Sequence, residues 1–138
     1  MKNLDKYLAN LMVGNVFLHN LHWNVVGINF VGVHEYLEEM YDEFFEQYDE
    51  VAEYQKMKGI YPKASVKDYL ELCDVNELES KDIKACDAIK KALELIKQMK
   101  DLALEIAEEA DDFELSNMME DHISEYSKQI WFMESMLK

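Results

Sequence analysis

One proline and four glycines are the only strong chain-breaking residues in 138 positions, so the backbone has few places to turn. Long stretches of such a chain must be regular. Its content of Leu, Glu, Lys, Met and Ala makes that regularity helical, because these residues lose little freedom on a helix. An all-α fold is expected. At this length the chain supports one sizeable core and is short for two, so residues 1–138 are expected to form a single domain.

Apolar spacing divides the sequence into four long helical segments. Leu4, Leu8, Leu11 and Leu18 fall in helical register, and the same stripe continues through Asn15 to His22. The segment Val26-Gly27-Ile28-Asn29 breaks it, with Gly27 free to take a positive φ and Asn29 placed to cap the next helix. That second helix is predicted over about residues 30–58, with Phe30, Val33, Leu37, Phe44 and Val51 at core spacing, ended by Gly59 and Pro62. A third is predicted over residues 82–110 around Ile89, Leu93, Ile96 and Ile106, and Asp111-Asp112 ends it. The fourth, over residues 114–137, carries Met119, Ile123, Tyr126, Ile130, Met133 and Leu137 at alternating spacings of four and three.

The stretch from Gly59 to Lys81 is too long for a tight turn, and residues 66–70 within it suit a short helix. A connection of that length lets the second pair of helices begin at the far end of the bundle, unlike a simple up-down-up-down arrangement.

Charge narrows the partners. Twenty-nine carboxylates face 14 lysines and no arginine, a formal charge of -15. Such a surface repels a nucleic-acid duplex, so direct DNA binding is not expected and cations are the natural partners. Cys73 and Cys86 form neither a disulfide framework nor a CxxC site, which points to reduced thiols and a cytoplasmic setting. No signal peptide is apparent, and no run approaches the roughly 20 apolar residues of a membrane span.

Four groups on the second helix carry the chemistry: His34, Glu38, Asp49 and Glu53. At 100° per residue they sit at about 0°, 40°, 60° and 100°, one polar strip. Along the axis, however, His34 and Asp49 are about 22 Å apart, far beyond the reach of one metal ion. Two copies of this helix packed antiparallel about a two-fold axis would set the His34/Glu38 end of one against the Asp49/Glu53 end of the other, making two equivalent sites. His22 folds back over the Gly27 turn to join its own His34. Imidazole with carboxylate suits Fe(II), Mn(II) or Zn(II). No Glu stands three residues before any histidine, so the paired Glu-x-x-His site of a bundle core is ruled out.

The run Leu21-His22-Trp23-Asn24-Val25-Val26-Gly27-Ile28-Asn29-Phe30, then Val33-His34-Glu35 and Asp49-Glu50-Val51-Ala52-Glu53, resembles the ferroxidase signature of the Dps mini-ferritins, the starvation-induced DNA-protection proteins. Lys128-Gln129-Ile130-Trp131 is similar to the ending of that family's last helix. The resemblance implies a ferritin-like four-helix bundle with a short helix in the crossover, assembled into a homo-oligomeric, dodecameric shell. It implies ferroxidase sites at two-fold interfaces built from His22, His34, Glu38, Asp49 and Glu53. These oxidise ferrous iron, with hydrogen peroxide preferred to dioxygen, and Fe(III) mineral is stored as protection against oxidative stress. It also offers Glu35 and Glu39 as cavity-side nucleation carboxylates. Zinc binding in vitro fits the same ligands, so a metal-buffering shell without oxidase activity is the first alternative and a DNA-compacting shell the second. Glu38 stands where the family more often has Asp, and Tyr54 where an Arg commonly follows the Ala-Glu pair. Both chain ends lack the basic extension by which some relatives hold DNA.

Simpler roles are expected elsewhere. His19 and His122 read as hydrogen-bonded core histidines, Trp23, Trp131 and the nine methionines as core filling, and Glu35, Glu39 and Glu43 suit a solvated acidic face as well as nucleation. Asp111, Asp112, Glu120 and Asp121 suit surface charge near a helix start as well as an acidic pore.

Overall fold

The computed structural model describes residues 1–138. Its helices are α1 (Lys2–Asn24), α2 (Phe30–Met57), α3 (Val66–Leu72), α4 (Ala85–Glu109) and α5 (Phe113–Met136). Two short strands, β1 (Val25–Val26) and β2 (Ile83–Lys84), complete it. In the bundle α1 packs on α2 and α4 on α5, while α3 lies in the crossover against α1. The strands pair in parallel, Val25 opposite Ile83 and Val26 opposite Lys84. That pairing ties the end of the crossover to the α1–α2 turn, so α4 starts beside the start of α2 and the two run in the same sense. This is the ferritin-like topology.

Leu4, Leu8, Leu11 and Leu18 of α1 are buried, as are Leu37, Phe44 and Val51 of α2, Ile89, Leu93, Ile96 and Ile106 of α4, and Met119, Tyr126 and Met133 of α5. Together they belong to one core cluster of 32 residues. Each large apolar side chain removed from water contributes about 1.5–3 kcal/mol, so this stripe, rather than helix propensity, holds the helices. Gly14 lets α1 approach α2: a Cβ there would stand 2.7 Å from Cε2 of Phe44. Gly27 takes φ 110°, a left-handed conformation that turns the chain between them.

Several expectations need correction. Phe30 and Val33 precede the buried part of α2, Phe30 being exposed and Val33 half-buried. Asn29 holds the N-cap position, but its side chain makes no capping hydrogen bond. The third long helix starts at Ala85 rather than residue 82, because Ile83–Lys84 is extended to pair with β1. Trp23 and Trp131 do not fill the core of the subunit. They are 69% and 65% exposed, on helix faces that point away from the bundle. Tyr54, by contrast, is buried, and its hydroxyl donates to Oδ2 of Asp112 at 2.6 Å. Asp112 also caps α5, its Oδ1 accepting from the Leu115 amide at 2.8 Å. Lys58, one turn beyond Tyr54, lies 3.6 Å from the same carboxylate and 2.7 Å from Glu114.

Candidate metal centre

His22 sits in the last turn of α1 and His34 in the second turn of α2, brought together by the turn at Gly27. Their contact is reciprocal. His22 Nδ1 lies 2.6 Å from the His34 carbonyl oxygen, and His34 Nδ1 lies 2.7 Å from the His22 carbonyl oxygen. A carbonyl can only accept, so each Nδ1 carries a hydrogen and donates it. In the neutral rings both Nε2 atoms therefore bear lone pairs, the arrangement that prepares a histidine for a metal. The rings stack at 3.7 Å and 12°, and Phe30 covers the His34 ring at 4.9 Å. Glu38, one turn beyond His34, places Oε1 3.9 Å from His22 Nε2. A cation with bonds of about 2 Å to each could bridge that gap.

Asp49 and Glu53 lie four residues apart near the other end of α2, both exposed. A hydrogen bond that protonated Glu53 donates to the Asp49 carboxylate, then repulsion by the same carboxylate, raises the Glu53 pKa above its ordinary range. Two such crowded carboxylates are relieved by a cation as well as by a proton. The subunit therefore brings His22, His34 and Glu38 together, pairs Asp49 with Glu53, and leaves the two groups apart on one rod. No group of three or more His, Cys, Asp or Glu side chains within the chain is arranged to hold a metal ion.

The strip between them is informative. Phe45 is 59% exposed, at about 20° on the α2 wheel, between the angles of His34 and Glu38. An apolar ring thus lies out in solvent between the His34–Glu38 end and the Asp49–Glu53 end of the strip.

Of two residues near the imidazoles, Tyr41 has no role in the sequence reading and His19 only that of a hydrogen-bonded core histidine, although it is half-buried. Tyr41, three residues after Glu38, points its hydroxyl at Glu38 Oε1 at a long 3.5 Å, and burial, then Glu38, raises its pKa. His19 stacks on the Tyr41 ring at 3.7 Å and is tied through Nδ1 to the Asn15 carbonyl at 2.8 Å. The i, i+3 spacings His19–His22 and Glu38–Tyr41 were the signals available. Glu35 and Glu39 are exposed. Glu39 shares a pocket with Tyr36, Glu43 and Glu125, and burial, then Glu125 and other carboxylates, raises the Glu43 pKa.

Helix order and the long crossover define a ferritin-like protein, and a family model described as a ferritin-like domain matches residues 1–138. The chain is 33% identical over 138 residues to the DNA protection during starvation protein of Brevibacillus brevis, covering 98% of this chain and 92% of that one. It is 31% identical over 138 residues to the protein of the same name from Listeria innocua, covering 97% and 88%. Among solved structures, antigen TpF1 from Treponema pallidum superposes with a TM-score of 0.95 at 30% identity, covering 99% of this chain and 90% of that one. Dps from Listeria innocua, soaked with zinc, superposes with a TM-score of 0.93 at 29% identity, covering 99% and 94%. The chain belongs to the Dps family of ferritin-like proteins. That family's general work is iron storage and protection against damage. No helix is long and apolar enough to cross a membrane.

Proposed function

We propose that the protein is a ferroxidase and iron-storage protein whose active sites form between subunits. His22, His34 and Glu38 of one subunit, with Asp49 and Glu53 of its two-fold mate, bind ferrous iron as substrate. Hydrogen peroxide takes one electron from each of two ferrous ions and, with two protons, leaves as water, so no radical is released. The ferric product passes to the wall of a dodecameric shell, where Glu35 and Glu39 nucleate mineral beside Glu43 and Glu125.

The observation that carries this reading is the reciprocal Nδ1–H···O=C pair. It holds two imidazoles with bare Nε2 atoms near the Glu38 carboxylate, which supports reading them as one half of a coordination sphere that Asp49 and Glu53 of a second copy would complete. The exposed Phe45 midway along that strip supports antiparallel α2 pairing, since it is covered only when a second copy docks there. A formal charge of -15 supports cation capture and opposes direct DNA binding.

The test is co-refolding of His34→Ala subunits with Asp49→Ala subunits. Each homo-oligomer should be impaired, and mixed interfaces should regain one intact site of two. No recovery in verified mixed assemblies would overturn the shared site. The same ligands suit zinc, and a zinc-soaked relative makes a metal-buffering shell the second reading. Peroxide consumption after anaerobic ferrous loading separates the two, because a buffer forms no stoichiometric Fe(III).

A further inference from the structure

Between α1, α2 and α5 runs a chain of hydrogen bonds that the metal chemistry leaves unused. Tyr7 and Tyr126 are almost completely buried, and their hydroxyls meet at 2.6 Å. The Tyr7 hydroxyl also lies 2.9 Å from His122 Nδ1, and His122 Nε2 lies 2.7 Å from Glu50 Oε1. Tyr126 continues the chain to the buried Gln47 amide at 2.7 Å. Only Glu50, 57% exposed through its side chain, reaches solvent.

Proton order is set by the partners. The Glu50 carboxylate accepts from His122 Nε2, so in the neutral ring Nδ1 is the acceptor for the Tyr7 hydroxyl. Tyr7 oxygen is then free to accept from Tyr126. With Gln47 oriented to accept from Tyr126, its Nε2 is a buried donor without a partner. Turning the amide lets Nε2 donate to the Tyr126 oxygen instead and leaves an unfilled acceptor, the cheaper defect. Every hydroxyl and ring N–H then points the same way, from Gln47 towards Glu50. Two tyrosines in a dry core with a histidine at hydrogen-bond distance and a route for the proton have the parts of a redox site. An oxidised phenol is a strong acid, and it gives up its electron easily only where a base takes the proton at once.

We propose that the Tyr7–Tyr126 pair is a one-electron donor site, with His122 as the base for the phenolic proton and Glu50 as the outlet to the surface. The electron acceptor is a radical of the hydroxyl class, or an aromatic radical that it leaves on the surface. Tyr7 gives up one electron and its O–H bond breaks. The proton goes to His122 Nδ1, and the Nε2 proton passes to Glu50. The hydroxyl radical, gaining the electron, becomes hydroxide. What remains is a neutral tyrosyl radical on Tyr7, held by the hydrogen bond from Tyr126. Only the origin of the oxidant, peroxide meeting a lone ferrous ion, rests on the ferroxidase reading. The site would hold damage inside the wall until a ferrous ion returns an electron.

The experiment uses the iron-free protein and azide radicals generated by pulse radiolysis, followed by tyrosyl absorption and by electron paramagnetic resonance. Wild type should end in a persistent neutral tyrosyl radical with a strongly coupled exchangeable proton. The Tyr7→Phe/Tyr126→Phe double variant should lose that component, whereas Tyr61→Phe, at an exposed tyrosine, should keep it. Glu50→Gln, a surface change, should shorten the lifetime, and deuterium oxide should slow radical formation in wild type. Equal yield and lifetime in the double variant would overturn the donor assignment, and an unchanged lifetime in Glu50→Gln would overturn the proton route. Should the double variant not fold, the proton coupling in wild type decides, its absence excluding a hydrogen-bonded radical. Because no iron is present, failure here is distinct from failure of the mixed-subunit test.

Discussion

His22 and His122 are almost equally buried, 5% and 4% exposed, yet they are prepared for different chemistry. His22 spends Nδ1 on a backbone carbonyl and turns a bare Nε2 towards a carboxylate in the open strip of α2. Both nitrogens of His122 are engaged by side chains, with no lone pair left over for a metal. Burial does not separate the proposed ligand from the core histidine here. What separates them is which ring atom is occupied, and by a group that can only accept.

The largest effect that would break this contrast is at His34. His34→Ala leaves the His22 ring without its stacked partner and removes one bare Nε2. Loss of a hydrogen-bond partner to a ligand already costs about 10–100-fold, so ferrous oxidation in stopped flow should fall by at least about a hundredfold. Activity close to wild type would mean that the reciprocal pair does not build the site. Gly14→Ala sharpens the contrast without touching a ligand. The new methyl group must displace Phe44 and spread α1 from α2, costing roughly 1–3 kcal/mol in denaturant unfolding. Because that spread also separates His22 from His34, ferrous affinity should fall in the same variant.

His122 tests the other side. His122→Phe leaves the Tyr7 hydroxyl without its acceptor and should cost about 1–3 kcal/mol. It should also change the pH dependence. Burial holds the His122 pKa below its ordinary value, while Glu50 and Asp121 pull it up. As pH falls through about 6.5 the unfolded chain therefore binds its proton first. The stability due to neutral His122 is complete above that point and declines as pH drops towards the folded-state value. The variant should lack this part of the slope in unfolding curves measured between pH 7 and about pH 5.

The fold was legible because its signals are local and repeated. Leu4 to Leu18 and Ile89 to Ile106 mark buried faces by periodicity alone, and the stretch without long apolar spacing between Gly59 and Lys81 marks the crossover. Periodicity fails at element ends. Phe30 keeps the spacing of α2 but precedes its buried part, and β2 delays α4 because of a pairing with Val25–Val26 that lies far away in sequence. The Trp23 and Trp131 errors have another origin: apolar character shows that a residue seeks cover, not that its own subunit supplies it. In the site, the His22–His34 meeting could be read from the Gly27 turn, but reciprocal bonding to carbonyls is not a pattern of residue types. The Tyr7–His122–Tyr126 chain was equally hidden, since it joins residues more than a hundred positions apart.

Tyr41 carries the smallest expected effect. Its hydroxyl is 3.5 Å from Glu38 Oε1, at the edge of hydrogen-bond reach, and the Glu38 carboxylate is largely open to water. A bond so long and so hydrated should contribute below about 0.5 kcal/mol, so Tyr41→Phe should weaken ferrous binding by about twofold at most. The ring itself stays, keeping the stack on His19 and the Asn15 contact to the Tyr41 carbonyl. If titration calorimetry instead shows a loss approaching that of His34→Ala, the carboxylate arm must be held as tightly as the imidazoles. The difference between anchored rings and a mobile Glu38 would then disappear. If binding is nearly unchanged, the longer arm of Glu38 is positioned by the metal it meets, and the two histidines alone are set in advance.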